Sequence, residues 1–393
     1  MANLYIIISD LAIQFIIINI LVGGNAAETF NIQTYGAVGD GVNDDSEAFT
    51  NAWNAACNVS SATLLVPDGK TYLVNNLVFE GPCAAGFIFQ VDGNINAPAD
   101  PNSWKDKTIW LQFDKLKQFT LQGSGTIDGQ GSNWWSRGDG GDVPLAIQFN
   151  GGNQVTIQGL SIVKSPSFHL TFTSSKSIQI LSVKINAPGT SIHTDGIDIN
   201  GQSTDFRIIN CKIGTGDDCV SIGNGSSNIY IEDLTCGPGH GISVGSLGKG
   251  NTQAQVSNVH VNGATLTATT NGLRIKTWQG GSGSANGIIF EKVTMDNVAN
   301  PIIIDQYYCD SPTPCSNQSS AVKISNVTYN GISGTSSTPV AVRFACSTTV
   351  GCTDITLSDI SLRLKSGGPA QSYCLNAQGQ TSEPVDPPSC LSS

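Results

Sequence analysis

Short alternations of apolar and polar residues recur along the chain: QFTLQG at 118, QVTIQGLSI at 154, SIQILSVKI at 177, DFRIINCKI at 205, NIYIEDLTC at 228, NVHVNGATL at 258, GIIFEKVTM at 287, AVKISNVTY at 321 and DITLSDISL at 354. Their second residues, Phe119, Val155, Ile178, Phe206, Ile229, Val259, Ile288, Val322 and Ile355, are 36, 23, 28, 23, 30, 29, 34 and 33 residues apart. Alternation with period two places every other side chain on one face of an extended strand. Self-similarity at roughly 20 to 40 residues marks a solenoid, and the units are too short to hold a strand plus a crossover helix. A propeller would need hairpin turns inside each unit, whereas these units carry two or three alternating stretches bounded by Asn, Gly and Ser. The pattern predicts an all-β fold, a right-handed parallel β-helix whose coils bury Ile, Val and Leu against their neighbours.

A second ladder of the form G-I-x-I runs through DGIDI at 195, DCVSI at 218, HGISV at 240 and NGLRI at 271. Aligning Ile197, Val220, Ile242 and Leu273 stacks the residues two places earlier, Asp195, Asp218, His240 and Asn271, on successive coils about 4.8 Å apart. Residues 43–57 instead carry helical spacing, with Ala48, Phe49, Ala52, Trp53 and Ala56 as the apolar stripe and Asp44 or Asp45 as N-cap. This predicts a short N-terminal helix capping the open end of the stack. No Pro- or Gly-rich linker divides residues 28–393, which read as one domain closed at its far end by the cysteine-rich stretch from 309 onward.

Composition narrows the partners. Nineteen Lys and Arg against 30 Asp and Glu give a net charge of −11, which leaves no distributed basic surface for a nucleic acid. Only 12% of residues are charged and only 4 are His, so ionisable residues that gather in one place carry information. Residues 4–22 are mostly apolar, interrupted by Asp10, and run into Gly23–Ala27; residues 1–27 read as a secretory signal peptide, with no membrane association after its removal. A retained anchor is disfavoured because Asp10 would lie within the bilayer. Eleven Cys then point to a disulfide framework with one thiol over. Close pairs are Cys57 with Cys83, Cys219 with Cys236, Cys309 with Cys315, Cys346 with Cys352 and Cys374 with Cys390, leaving Cys211. Sequons at Asn58, Asn224, Asn317 and Asn326 agree with an extracellular, glycosylated product.

The stacked coils bring polar residues together. Asp217 adjoins Asp218, so with Asp195 and His240 three carboxylates and an imidazole share one patch, while Arg274 and Lys276 have opposite parity to Leu273 and Ile275 and point outward on the same face. Three close carboxylates cannot all ionise freely, so at least one holds its proton as a raised acid. Glycoside hydrolysis requires such a pairing: one carboxylic acid to protonate the leaving oxygen and an opposed carboxylate to activate water. The two cations have a natural partner in a substrate carboxylate.

TDG at 194, GDDC at 216, GHGISVGSLG at 239 and RIK at 274, in this order, resemble the polygalacturonases of glycoside hydrolase family 28, especially the plant members. YGAVGDGVNDDSEAF from Tyr35, GSGTIDGQGSNWW from Gly123 and NPIIIDQYYC from Asn300 extend the resemblance over nearly the whole chain after residue 27. It implies a secreted, inverting hydrolase of α-1,4-galacturonosyl bonds in de-esterified pectin, acting as a monomer in the plant cell wall without metal or cofactor. Asp217 would be the general acid, Asp195 and Asp218 would hold and deprotonate water, His240 would tune Asp217, and Arg274 with Lys276 would bind the galacturonate carboxylate. Inversion needs acid and base roughly 6.5–9.5 Å apart. The family motif reads N-T-D where this chain has His193-Thr194-Asp195, so His193 is expected to alter subsite affinity or pH profile.

Other readings make different predictions. A pectate lyase on the same fold would use calcium and a basic residue, and a decayed pectin-binding β-helix would bind without turnover. Within the family, cutting could be internal or from the chain end, and rhamnogalacturonan or xylogalacturonan could be the substrate. Asp198 extends the outward row containing Arg274, where a solvated side chain or a local salt-bridge partner is expected; Tyr307 and Tyr308 suit either sugar stacking or packing.

Overall fold

The computed structural model describes residues 28–135, 142–311 and 313–393; the expected leader, residues 1–27, lies outside them. Among the described residues, one parallel sheet of 11 strands runs from Leu77–Glu80 to Gln371–Leu375, and a second parallel sheet of 20 strands supplies the other faces of the coils. This is the parallel β-helix expected from the apolar ladders. In the 11-stranded sheet Leu77, Leu111, Ile147, Leu170, Ile197, Val220, Ile242, Leu273, Ile302 and Val342 form one inward column in register. Two residues on, Phe79, Phe113, Phe149 and Phe172 begin a second column whose rings stack with centroids 4.9, 4.7 and 5.4 Å apart. Full burial of each such side chain contributes about 1.5–3 kcal/mol, so register slippage of even one residue would be heavily penalised.

The coil corners explain the Asn, Gly and Ser between units. Gln118, Gln154, Ser177, Asp205, Asn228, Asn258, Gly287, Asn326 and Asp354 all have φ between 50° and 66°, each just before the inward residue of its coil. Asn, Asp and Gly tolerate this left-handed conformation best. The corner also corrects one rung of the ladder: Ile288 pairs with Val327, and Val327 with Ile355, so Val327 and not Val322 occupies the column. Asn326 turns the chain and resets the in–out parity, which plain period-two counting from Val322 misses. Asn210, at φ 53°, does the same beside the free thiol, so Cys211 shares the interior with Ile208 rather than Ile209.

The helix Ser46–Ala56 buries the expected stripe of Ala48, Phe49, Ala52, Trp53 and Ala56. Trp53 lies 4.7 Å from Phe79 and 4.9 Å from Phe87 by ring centroids, covering the end of the aromatic column. Asp45 occupies the N-cap position without capping; its carboxylate accepts from the Val38 and Gly39 N–H groups, and Asp44 accepts from Ser46 N–H instead. All five cysteine pairs form as expected. No helix among the described residues is long and apolar enough to cross a membrane.

Candidate active site

Ile197–Asn200, Val220–Ile222, Ile242–Leu247 and Asn271–Trp278 lie side by side in the 11-stranded sheet. The register expected for Ile197, Val220, Ile242 and Leu273 holds, which sets Asp198, Ser221, Ser243 and Arg274 in a neighbouring outward row. The loops entering these strands carry Asp195, Asp217, Asp218 and His240. Two glycines allow the loops to approach so closely: a Cβ on Gly216 would lie 1.7 Å from the Ser191 carbonyl oxygen, and one on Gly241 would lie 2.1 Å from that of Asn271. The result is a cleft of about 430 Å³ lined by all seven sequence-predicted residues, Asp195, Asp217, Asp218, His193, His240, Arg274 and Lys276. A larger hollow of about 620 Å³ around the coil corner is lined by amides, hydroxyls and glycines, with no ionisable group to do chemistry.

Asp218 is the anchor. Its Oδ1 accepts from Arg274 Nη2 at 2.6 Å and Ser243 Oγ at 2.7 Å, and its Oδ2 from Lys276 Nζ at 2.9 Å. Arg274 Nε also donates to Ser243 Oγ at 2.8 Å. The two cations therefore leave the sheet on the outward face, as parity requires, but are buried against one carboxylate. Charge-assisted bonds with every Asp218 oxygen engaged are what makes such burial tolerable.

Asp217 Oδ1 lies 2.8 Å from His240 Nδ1 and accepts from Asp218 N–H at 2.8 Å, while its Oδ2 lies 3.8 Å from His193 Nδ1. Burial pushes its carboxyl up, but the His240 bond and charge, then Lys276, outweigh this and hold it below the ordinary value. Asp195 goes the other way: burial first, then the charges of Asp217, Asp218 and Asp198, hold it well above the ordinary carboxylate range. Asp195 thus has the strongest hold on the proton that crowding forces onto the group.

Asp198 differs from the expected solvated residue. It is 3% exposed, lines the cleft, and accepts from Asn200 Nδ2; burial pushes it up to about 6 against the pull of its Ser221 and Asn200 bonds. Ser221 stands one coil above it in the outward row, so a buried polar run replaces water there. Tyr308 also lines the cleft, its ring 5.2 Å from Lys276 Nζ, whereas the Tyr307 hydroxyl turns away to donate to the Cys346 carbonyl. His193 has φ 55°, a conformation in which Asn and His are both enriched, so the backbone admits either residue at this corner.

Ligand atoms of Asp217, Asp218 and His240 lie within 4.8 Å of one another, the separation a cation needs. They do not suit one: Asp218 has given both oxygens to two fixed cations, and a dication there would be repelled by both.

The family pattern described as "Glycosyl hydrolases family 28" matches residues 57–384. A polygalacturonase of Cryptomeria japonica is 53% identical over 373 residues, 92% of this chain and 72% of that protein. Among solved structures, an endo-xylogalacturonan hydrolase from Aspergillus tubingensis matches with a TM-score of 0.80 at 26% identity, covering 92% of this chain and all of that one. A polygalacturonase from Erwinia carotovora ssp. carotovora matches in fold, with a TM-score of 0.74 at 22% identity over 91% of this chain and 97% of its own. With the fold, the cleft and these relatives agreeing, the chain belongs to glycosyl hydrolases family 28, as a glycosidase of its polygalacturonase group.

Proposed function

We propose that the cleft hydrolyses α-1,4-galacturonosyl bonds within de-esterified pectin by a single inverting displacement, and that the protein acts as a secreted monomer in the plant cell wall. The observation that carries this reading is the convergence of Arg274 and Lys276 on a cluster of three acidic residues in one cleft, built from one chain. Arg274 and Lys276 hold the galacturonate carboxylate at the scissile unit. Asp217 gives its proton to the glycosidic oxygen as the C1–O bond breaks. Water attacks C1 from the opposite face and loses its proton to Asp195, leaving a carboxylic acid on Asp195 and a carboxylate on Asp217. Asp218 orients that water; its oxygens already accept from Arg274, Ser243 and Lys276, which leaves the raised Asp195 as the stronger base. The step needs the shared proton on Asp217 and Asp195 ionised, the reverse of the free cleft's preference, so it runs from the minority form of that proton; a substrate carboxylate beside Lys276 offsets one of the charges holding Asp217 down.

Internal cutting is supported by the length of the cleft. Its lining comes from six successive coils, from Phe168 to Asp310, about 24 Å at 4.8 Å per coil and enough for several sugars. The fold match to an enzyme named for xylogalacturonan favours, as a second reading, a galacturonan carrying side groups.

The test is incubation with polygalacturonate in excess chelator, following both reducing ends and unsaturated-uronate absorbance. New reducing ends without absorbance support hydrolysis; absorbance that the chelator abolishes means a lyase; binding without either product means a decayed site. Viscosity that falls well ahead of reducing-end release identifies internal cutting, and xylogalacturonan in a parallel assay decides the second reading.

A further inference from the structure

His169 is fully buried, directly before the strand Leu170–Thr173 and one coil below Asp195, and no step above uses it. Its backbone N–H donates to the Asp195 carbonyl at 2.8 Å, and its ring Nδ1 lies 3.0 Å from the same oxygen. Across the ring, Nε2 lies 3.2 Å from the backbone nitrogen of Ser165. A carbonyl only accepts and a backbone N–H only donates, so these partners fix one neutral tautomer, with the proton on Nδ1 and the lone pair on Nε2. Burial favours the same neutral ring, pushing it down to about 4.

The sheet ladder alone would give the Asp195 carbonyl one donor. The ring supplies a second, and the register makes that donor specific to this rung: the residues stacked above His169 are Gly196, Cys219, Gly241 and Gly272, none of which offers a side-chain N–H. The peptide is braced from above as well, Gly196 N–H donating to the Asp218 carbonyl at 2.9 Å and Gly216 N–H to Thr194 Oγ1 at 3.0 Å. Asp195 is thus clamped between two coils, which fixes the origin and direction of its Cα–Cβ bond.

We propose that His169 is a positioning residue for hydrolysis: its Nδ1–H pins the Asp195 carbonyl and thereby the angle at which the Asp195 carboxyl faces the attacking water. This rests on the reading of Asp195 given above. Two substitutions divide the ring's contacts. In His169→Asn the amide nitrogen takes the place of Nδ1 and retains the donor to Asp195, losing the acceptor for Ser165. In His169→Gln the amide reaches only to the Nε2 position, and the donor to Asp195 is lost.

On polygalacturonate, H169Q is expected to lose kcat ten- to a hundredfold with KM within about twofold of the parent, because the substrate-binding cations are untouched and only the geometry of attack is relaxed. H169N is expected to recover most of kcat although it melts at a lower temperature. If kcat in both variants tracks melting temperature alone, or neither loses kcat, the inference is overturned. Asp195→Asn in parallel separates the two claims: an active D195N removes the reading of Asp195 and the inference with it, whereas an inactive D195N beside indifferent His169 variants removes the inference alone.

Discussion

Asp198 carries a carboxyl so deeply buried that its contribution to stability changes with pH. Its folded value of about 6 lies above the ordinary 3.8, so the stabilisation is full below about 3.8 and is lost as pH rises through about 6. That difference is worth about 3 kcal/mol. Asp198→Asn keeps an acceptor for Asn200 and removes the titration, so urea unfolding should find D198N gaining on the parent between pH 4 and pH 7 by roughly that amount; parallel pH dependences would refute the assignment. At His193 the backbone already sits where Asn is at home, and the exposed ring lies within reach of Asp217. His193→Asn should therefore leave the fold unchanged and shift KM or the pH profile, and identical kinetics would make the substitution neutral. Parity and spacing made Asp195, Asp217, Asp218, His240, Arg274 and Lys276 legible from sequence, and the family resemblance added His193. They could not reveal that Arg274 and Lys276 both lean on Asp218, or that Asp198 is buried, because alternation says which face a side chain takes and nothing about which neighbour covers it. His169 left no signal at all: a single His beside a strand is unremarkable until the coil above it is known.

At the scale of a coil, the corner residue decides whether the next strand enters with the correct face inward. Gln154 holds φ 58° without being a residue that favours it. Gln154→Asn should preserve or raise stability, while Gln154→Val, β-branched in a left-handed corner, should lower it by denaturant unfolding. Equal stability for both would mean that the corner is set by the neighbouring coils and not by its own residue. The same feature accounts for what periodicity could and could not deliver. Eight of the nine ladder positions were identified correctly because corner and inward residue are adjacent there. Val322 was mistaken for Val327 because the strand Lys323–Ser336 carries two alternating runs, and Asn326 resets the phase between them. The helix was readable for the opposite reason, since its stripe has period 3.6 with no interruption; its N-cap position, Asp45, was readable too, but not that its carboxylate is drawn away to Val38 and Gly39.

Across the whole molecule, a solenoid converts separation along the chain into adjacency. Asp195 and Lys276 are far apart in sequence, but only four strands of one sheet lie between and including their coils, so strand register, with the glycine-bearing loops that enter those strands, assembles the cleft. Two oppositely shifted carboxyls in one cleft, Asp195 raised and Asp217 lowered, make the active protonation state dependent on pH. Activity should peak at acidic pH and fall as the shared proton leaves; a profile that stays flat into the alkaline range would contradict that sharing. The central claim is that an acid and a base on neighbouring coils act from opposite faces of one sugar. Proton NMR of the first reducing ends released from an α-linked oligogalacturonate, recorded before mutarotation, tests it most directly. The β anomer is the predicted product; α as the initial product would mean that the carboxyls do not act by a single displacement.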